Sequence, residues 1–157
     1  MFKTSRPWND ELPGTLVVTC SDGRLQEEVD EFLRSHLAIR HYDRLYVPGG
    51  AGALAASGGE PVRADQLRRE CQFLITAHEI DRVILMFHGP TEDGPPEAVC
   101  GDYRRRQPKS SLAEIRRQQE GDVEQIQRDG FGDGVALEIY MCEVASDGRV
   151  QFVRLGG

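Results

Sequence analysis

The protein has 157 residues, of which 39% are hydrophobic and 29% are charged, and its formal net charge is −7. This length is typical of one domain with a buried core, so residues 1–157 are predicted to form a single domain. The negative charge argues against a nucleic-acid partner, because phosphate recognition requires clustered lysine and arginine. No run of about 18 apolar residues is present, so no membrane partner is expected.

The N-terminal segment, residues 1–13, is polar and lacks the apolar region of a secretory signal peptide, so we expect a cytoplasmic location. The chain contains four cysteines. In a reducing cytosol, cysteines serve as metal ligands or core residues rather than as disulfides.

Strand and helix patterns alternate along the chain, which is typical of an α/β fold with a mostly parallel central sheet flanked by helices. The apolar run at residues 15–20 predicts the first strand. Residues 26–37 carry apolar side chains at helical spacing and predict the first helix. A second strand is predicted at 43–47. A glycine-rich segment at 49–59 then leads to a second helix at 64–78.

The second half of the chain continues this pattern. An apolar run at residues 83–87 predicts a third strand. Ser111, followed three residues later by Glu114, indicates a capping box that opens a long helix ending near residue 128. A C-terminal hairpin is predicted from strands at residues 135–144 and 150–155.

The first strand runs directly into Cys20-Ser21-Asp22-Gly23-Arg24. Alternate residues of an extended chain point the same way and lie about 6.5 Å apart, so Cys20, Asp22 and Arg24 can converge on one spot. Open α/β folds place their sites at this carboxyl edge of the sheet. The alternative is a turn that contains Asp and Gly beside a buried cysteine.

Two later residues favour a metal site over that alternative. His88 closes the third strand, and Cys100 follows twelve residues later. Cys20, His88 and Cys100 form a Cys₂His set, and zinc takes three such ligands in catalytic sites with a fourth position for water. A structural zinc site closed by Asp22 as the fourth ligand remains an alternative.

The remaining cysteines and histidines are predicted to lie outside this site. Cys71 falls on the apolar face of its helix and Cys142 lies in an apolar strand, where free cysteine behaves as a small hydrophobic residue. His36, His41 and His78 are predicted to be surface or helix-face residues.

With these residues the sequence resembles the β-class carbonic anhydrases, as a short and divergent member. The signature of that family is Cys-x-Asp-x-Arg after the first strand, which Cys20, Asp22 and Arg24 match. It continues with His and Cys-Gly after the third strand, which His88 and Cys100 match in type and order. The resemblance implies a β-carbonic-anhydrase-like fold.

The resemblance also implies a carbonate dehydratase, a zinc lyase that reversibly hydrates carbon dioxide to bicarbonate through zinc-bound hydroxide. Cys20, His88 and Cys100 would hold Zn²⁺. Asp22 would accept a hydrogen bond from the zinc-bound water, and Arg24 would hold the Asp22 carboxylate. A homodimer or higher homo-oligomer is implied, with a small molecule as substrate. Two alternatives stay open: a similar zinc protein without hydratase activity, and a hydrolase of carbonyl sulfide or carbon disulfide.

The sequence departs from the family pattern between the second and third ligands. The family has His-x-x-Cys, whereas eleven residues, 89–99, separate His88 from Cys100 here. This segment is rich in proline and glycine and is predicted to be an inserted loop. Thr91 stands at the usual ligand spacing, so Cys100 must fold back to complete the site.

A competing motif follows the second strand, where Gly50-Ala51-Gly52-Ala53-Leu54-Ala55 matches a G-x-G-x-x-A dinucleotide fingerprint. This fingerprint requires a helix that begins inside the motif, and residues 57–61 interrupt it. A flexible loop that packs over the site, or beside a partner subunit, is the preferred interpretation.

Overall fold

The structure is a computed structural model that describes residues 1–57 and 60–156, so the last two glycines of the glycine-rich segment lie outside the described residues. The strands are β1 (Thr15–Cys20), β2 (Asp43–Val47), β3 (Arg82–Pro90), β4 (Ala136–Val144) and β5 (Val150–Leu155). The helices are α1 (Gln26–Glu31), which continues as a π-helical turn (Phe32–His36), α2 (Pro61–Ala77), α3 (Gly101–Arg106) and α4 (Leu112–Asp129).

The five strands form one sheet in the order β2-β1-β3-β4-β5. All neighbouring strands are parallel except β4 and β5, which pair antiparallel as the C-terminal hairpin. The predicted fold, a mostly parallel α/β sheet flanked by helices with a closing hairpin, is therefore confirmed. In the part of the chain that the structure describes, no helix combines the length and apolar character needed to cross a membrane.

The central strands are apolar because helices cover both faces of the sheet. Along β1, Leu16 and Val18 point into one core while Val17 points into the other. Cys71 and Ile75 of α2 pack into the first core with Ile126 of α4. The second core contains Val29, Phe32 and Leu33 from α1 and its π-helical turn.

The capping box at the start of α4 is confirmed. The Ser111 hydroxyl accepts a hydrogen bond from the Glu114 backbone N–H at 3.2 Å, and the Glu114 carboxylate accepts one from the Ser111 N–H at 2.7 Å. Helix α2 begins at Pro61, three residues before the predicted start, because proline fits the first turn of a helix.

Two features differ from the sequence prediction. Strand β3 extends beyond Phe87 because His88, Gly89 and Pro90 continue to pair with β4. The short helix α3 was not predicted, since six residues are too few to show a helical period. The extension of β3 begins at His88, and α3 begins directly after Cys100.

Candidate metal centre

Cys20, His88 and Cys100 lie together at the carboxyl edge of the sheet. Cys20 is the last residue of β1, and the pairing of Val18 with Leu85 places His88 of β3 close to the same level. Cys100 occupies the N-cap position of α3. One candidate ligand atom from each of the three residues lies within 4.8 Å of the others.

The inserted segment between His88 and Cys100 folds back on itself, as the sequence requires. Its first residues pair with β4 as far as Pro90. A turn follows, in which the Gly94 N–H donates a hydrogen bond to the Thr91 carbonyl at 3.1 Å. A 3₁₀ turn at Pro96–Ala98 then leads back to Cys100. Thr91 donates from its hydroxyl to Asp93 at 2.9 Å and is not part of the ligand group.

The His88 imidazole is suited to metal binding because it is buried without a partner. The residue is 3% exposed, and within the described residues neither Nδ1 nor Nε2 has a hydrogen-bond partner. A buried polar atom left without a partner costs about 1–3 kcal/mol. A metal ion bound between His88 and the two sulfurs would satisfy one of these nitrogens.

The sulfur atoms of Cys20 and Cys100 lie within 4.8 Å of each other. The neighbouring Cys100 thiol lowers the pKa of Cys20, although burial opposes this shift. The same contact, together with burial, raises the pKa of Cys100. A metal ion would bind both sulfurs as thiolates and displace any proton that they carry. Two thiolates and one imidazole are a donor set that suits zinc.

Asp22 and Arg24 form a bidentate ion pair beside the ligand group. Arg24 donates from Nε to Asp22 Oδ1 at 2.9 Å and from Nη2 to Oδ2 at 2.6 Å, and its backbone N–H also donates to Oδ1 at 3.1 Å. These bonds from Arg24 lower the pKa of Asp22 to about 2. Arg24 Nη1 also donates to the Glu97 carbonyl at 3.2 Å, so the ion pair is tied to the inserted loop.

A cavity of about 220 Å³ lies against this ion pair. Its walls combine apolar groups with carboxylates from three parts of the chain. They are formed by Asp22, Arg24, Leu25, Glu28, Pro95, Glu97, Ala98, Val144, Gly148 and Val150.

The glycine-rich segment packs against the ends of the central strands. Residues Gly50–Leu54 form a buried 3₁₀ turn, and Gly50 has φ +54°. A Cβ atom at Gly50 would lie 2.6 Å from the Cys20 backbone nitrogen and 2.7 Å from the Met86 carbonyl oxygen, so only glycine fits. Residues Gly50–Leu54 are thus a packed turn rather than a flexible loop. It does not open a helix, which agrees with the rejection of a dinucleotide site.

Sequence analysis did not identify the residues that anchor α3. Asp102, two residues after Cys100, has a side chain only 2% exposed. Its carboxylate forms ion pairs with Arg63 at 3.0 Å and with Arg105 and Arg106 at 3.1 Å each. The i,i+3 and i,i+4 spacing of the last two arginines could have indicated these pairs. The network fixes the start of α3, and therefore the position of Cys100.

The other cysteines and histidines lie outside the ligand group, as expected. Burial raises the pKa values of Cys71 and Cys142 to about 12, which fits core thiols. His78 bonds Asp43 at 2.6 Å. The two remaining histidines are exposed. The ring of His36 stacks on Phe32, and His41 lies 3.3 Å from Asn9.

Comparison with known proteins gives a family match and a set of similar folds. Residues 13–119 match a family model described as "Putative carbonic anhydrase". No curated protein sequence matches the chain.

The similar solved structures include a carbonic anhydrase from Streptococcus mutans, which is 15% identical, with 96% of this chain and 87% of that chain covered and a TM-score of 0.52. A carbonic anhydrase from Glaciozyma antarctica is 15% identical, with 93% and 83% covered and a TM-score of 0.50. The β-carbonic anhydrase isoform I of Trichomonas vaginalis is 12% identical, with 99% and 90% covered and a TM-score of 0.50. At these identities the likeness is one of fold.

Proposed function

The chain belongs to the carbonic anhydrase family, as a divergent β-class-like member, and on this premise we propose that it reversibly hydrates carbon dioxide to bicarbonate with zinc as cofactor. Cys20, His88 and Cys100 would hold the ion. The observation that carries the proposal is their geometry, because a buried imidazole without a partner lies within 4.8 Å of two cysteine sulfurs. Zinc uses such sets in catalytic sites and keeps a fourth position open.

When bound, zinc supplies a water acidic enough to act as a nucleophile near neutral pH. Cys20 and Cys100 would bind as thiolates and neutralise the formal charge of the ion, so this water needs help from neighbouring groups. Asp22 is the neighbouring group best suited to give that help. Its pKa of about 2 keeps it ionised at neutral pH, where a carboxylate only accepts hydrogen bonds.

In the proposed mechanism, the Asp22 carboxylate accepts a hydrogen bond from the reacting water and turns its lone pair toward the substrate. Arg24 fixes the carboxylate through two hydrogen bonds, so little reorganisation is needed during the reaction. The cavity beside this ion pair holds the carbon dioxide against apolar side chains such as Leu25 and Val144.

The single-domain organisation, the cytoplasmic location and the homo-oligomeric assembly remain predictions from the sequence.

Azide binding to cobalt-substituted protein separates this enzyme from a structural zinc protein. An open fourth position exchanges its ligand, so we expect azide to change the visible absorption spectrum of the cobalt form and to inhibit hydration by the zinc form. A site closed by Asp22 as fourth ligand has no exchangeable position. A cobalt spectrum that azide leaves unchanged between acid and alkaline pH would contradict the proposal and favour a structural zinc site.

A further inference from the structure

A cavity of about 780 Å³ lies outside the candidate metal centre, between the end of the first helical segment, the start of β2 and the N-terminal segment. Arginine side chains from all three parts of the chain reach it. They are Arg6, Arg34, Arg40 and Arg44. Exposed arginines are usually scattered and solvated, so four around one cavity require an explanation.

None of these four arginines forms an ion pair within residues 1–57 and 60–156, whereas ion pairs engage nine other arginines there. Two of the four are nevertheless held in place. Arg34 donates from Nε to the Asp30 carbonyl at 3.1 Å. The Arg44 guanidinium stacks over the Tyr42 ring at 4.7 Å. Most of their N–H donors thus remain available to a ligand.

The carboxylates that line the cavity are too few to neutralise the positive charge of its arginines. Asp30 and Glu31 also line the cavity, which leaves it with more guanidinium groups than carboxylates. One oxygen of Asp30 already accepts a hydrogen bond from the Tyr42 hydroxyl at 2.9 Å. Like charges around one cavity repel each other, and the protein as a whole carries a charge of −7. The clustered arginines therefore do not stabilise the fold, and binding of an anionic ligand explains them better.

We propose that this arginine-lined cavity binds a small anion that carries at least two phosphate or carboxylate groups. Guanidinium groups bind both kinds of oxyanion through paired, charge-assisted hydrogen bonds. The volume lies within the range of about 300–1,000 Å³ that is typical of small-molecule sites. A bicarbonate ion has only three oxygen atoms, which are too few to form paired hydrogen bonds with four guanidinium groups.

The proposed anion site is separate from the metal centre. Arg44 pairs with Val17, three residues before Cys20 in β1, which corresponds to about 10 Å along the strand. None of the four arginines belongs to the ligand group or to the Asp22–Arg24 pair. Anion binding here therefore does not depend on zinc or on hydration activity.

Isothermal titration of the full-length protein with pyrophosphate, and separately with citrate, tests this proposal. We expect saturable binding of at least one of them, weakened by added salt. Arg40→Gln and Arg44→Gln should each weaken that binding about tenfold, because each removes charge-assisted hydrogen bonds. Arg117→Gln, an exposed arginine of α4 that lies outside the cavity, should bind like the unmodified protein.

Binding of pyrophosphate alone would identify a phosphate ligand, and binding of citrate alone would identify a polycarboxylate. Circular dichroism of each variant should match that of the parent, so that loss of binding reports on the cavity. The proposal is overturned if neither anion binds at millimolar concentration. It is also overturned if Arg117→Gln weakens binding as much as the two cavity variants do.

Discussion

A Cys100→Ser variant is expected to lose most of its zinc, whereas the unmodified protein should contain about one zinc per chain. Serine keeps the shape of the side chain but replaces a thiolate with a hydroxyl, which is a poor zinc ligand at neutral pH. Only Cys20 and His88 of the three proposed ligands would then remain. Zinc content measured by elemental analysis after dialysis, together with circular dichroism, gives the result.

Cys142→Ser is the matched control for this experiment. Cys142 and Cys100 are both 1% exposed, so the two substitutions place the same hydroxyl in a similarly buried position. Cys142 lies outside the ligand group, and its variant should keep its zinc even if its unfolding free energy falls. If Cys100→Ser retains as much zinc as Cys142→Ser, the ion is held elsewhere and the assignment of Cys100 is wrong.

An Asp22→Asn variant is expected to hydrate carbon dioxide about 100-fold more slowly than the parent while retaining its zinc. Asparagine has nearly the same size, but its amide lacks the negative charge that accepts from the reacting water. The pair with Arg24 is also weakened, because a neutral amide cannot form the bidentate ion pair. Stopped-flow hydration and zinc analysis on the same sample measure the two effects.

Asp93→Asn provides the control for a change of charge near the inserted loop. Asp93 is exposed and accepts hydrogen bonds from Thr91 and Ser146, away from the ligand group. Its asparagine variant should hydrate carbon dioxide at nearly the parental rate. If Asp22→Asn hydrates carbon dioxide as fast as Asp93→Asn does, the Asp22–Arg24 pair has no role in the mechanism.

The sequence allowed prediction of the parts of the fold that depend on local patterns. Strand β1 and the Cys20–Arg24 motif could be located because an apolar run ends in residues that alternate on one side. The order of the strands and of the longer helices along the chain was likewise visible from their periods. The proximity of Cys20 and His88 could be predicted from the positions of their strands, because the carboxyl ends of parallel strands meet at one edge of the sheet.

The parts that depend on distant contacts could not be predicted. The return of residues 89–99 depends on pairing with β4, which follows more than forty residues later in the chain. The burial of Asp102 depends on Arg63 in a different helix. The arginine-lined cavity combines the N-terminal segment with α1 and β2, and no local motif indicates that their side chains converge.

Carbon dioxide hydration by protein of known zinc content tests the central claim most directly. Protein stripped with a chelator should show only the uncatalysed rate, and one equivalent of zinc per chain should restore catalysis in proportion to the zinc bound. The Cys100→Ser variant treated in the same way should not recover. A protein that binds one zinc through Cys20, His88 and Cys100 but shows no hydration above the uncatalysed rate would contradict the account.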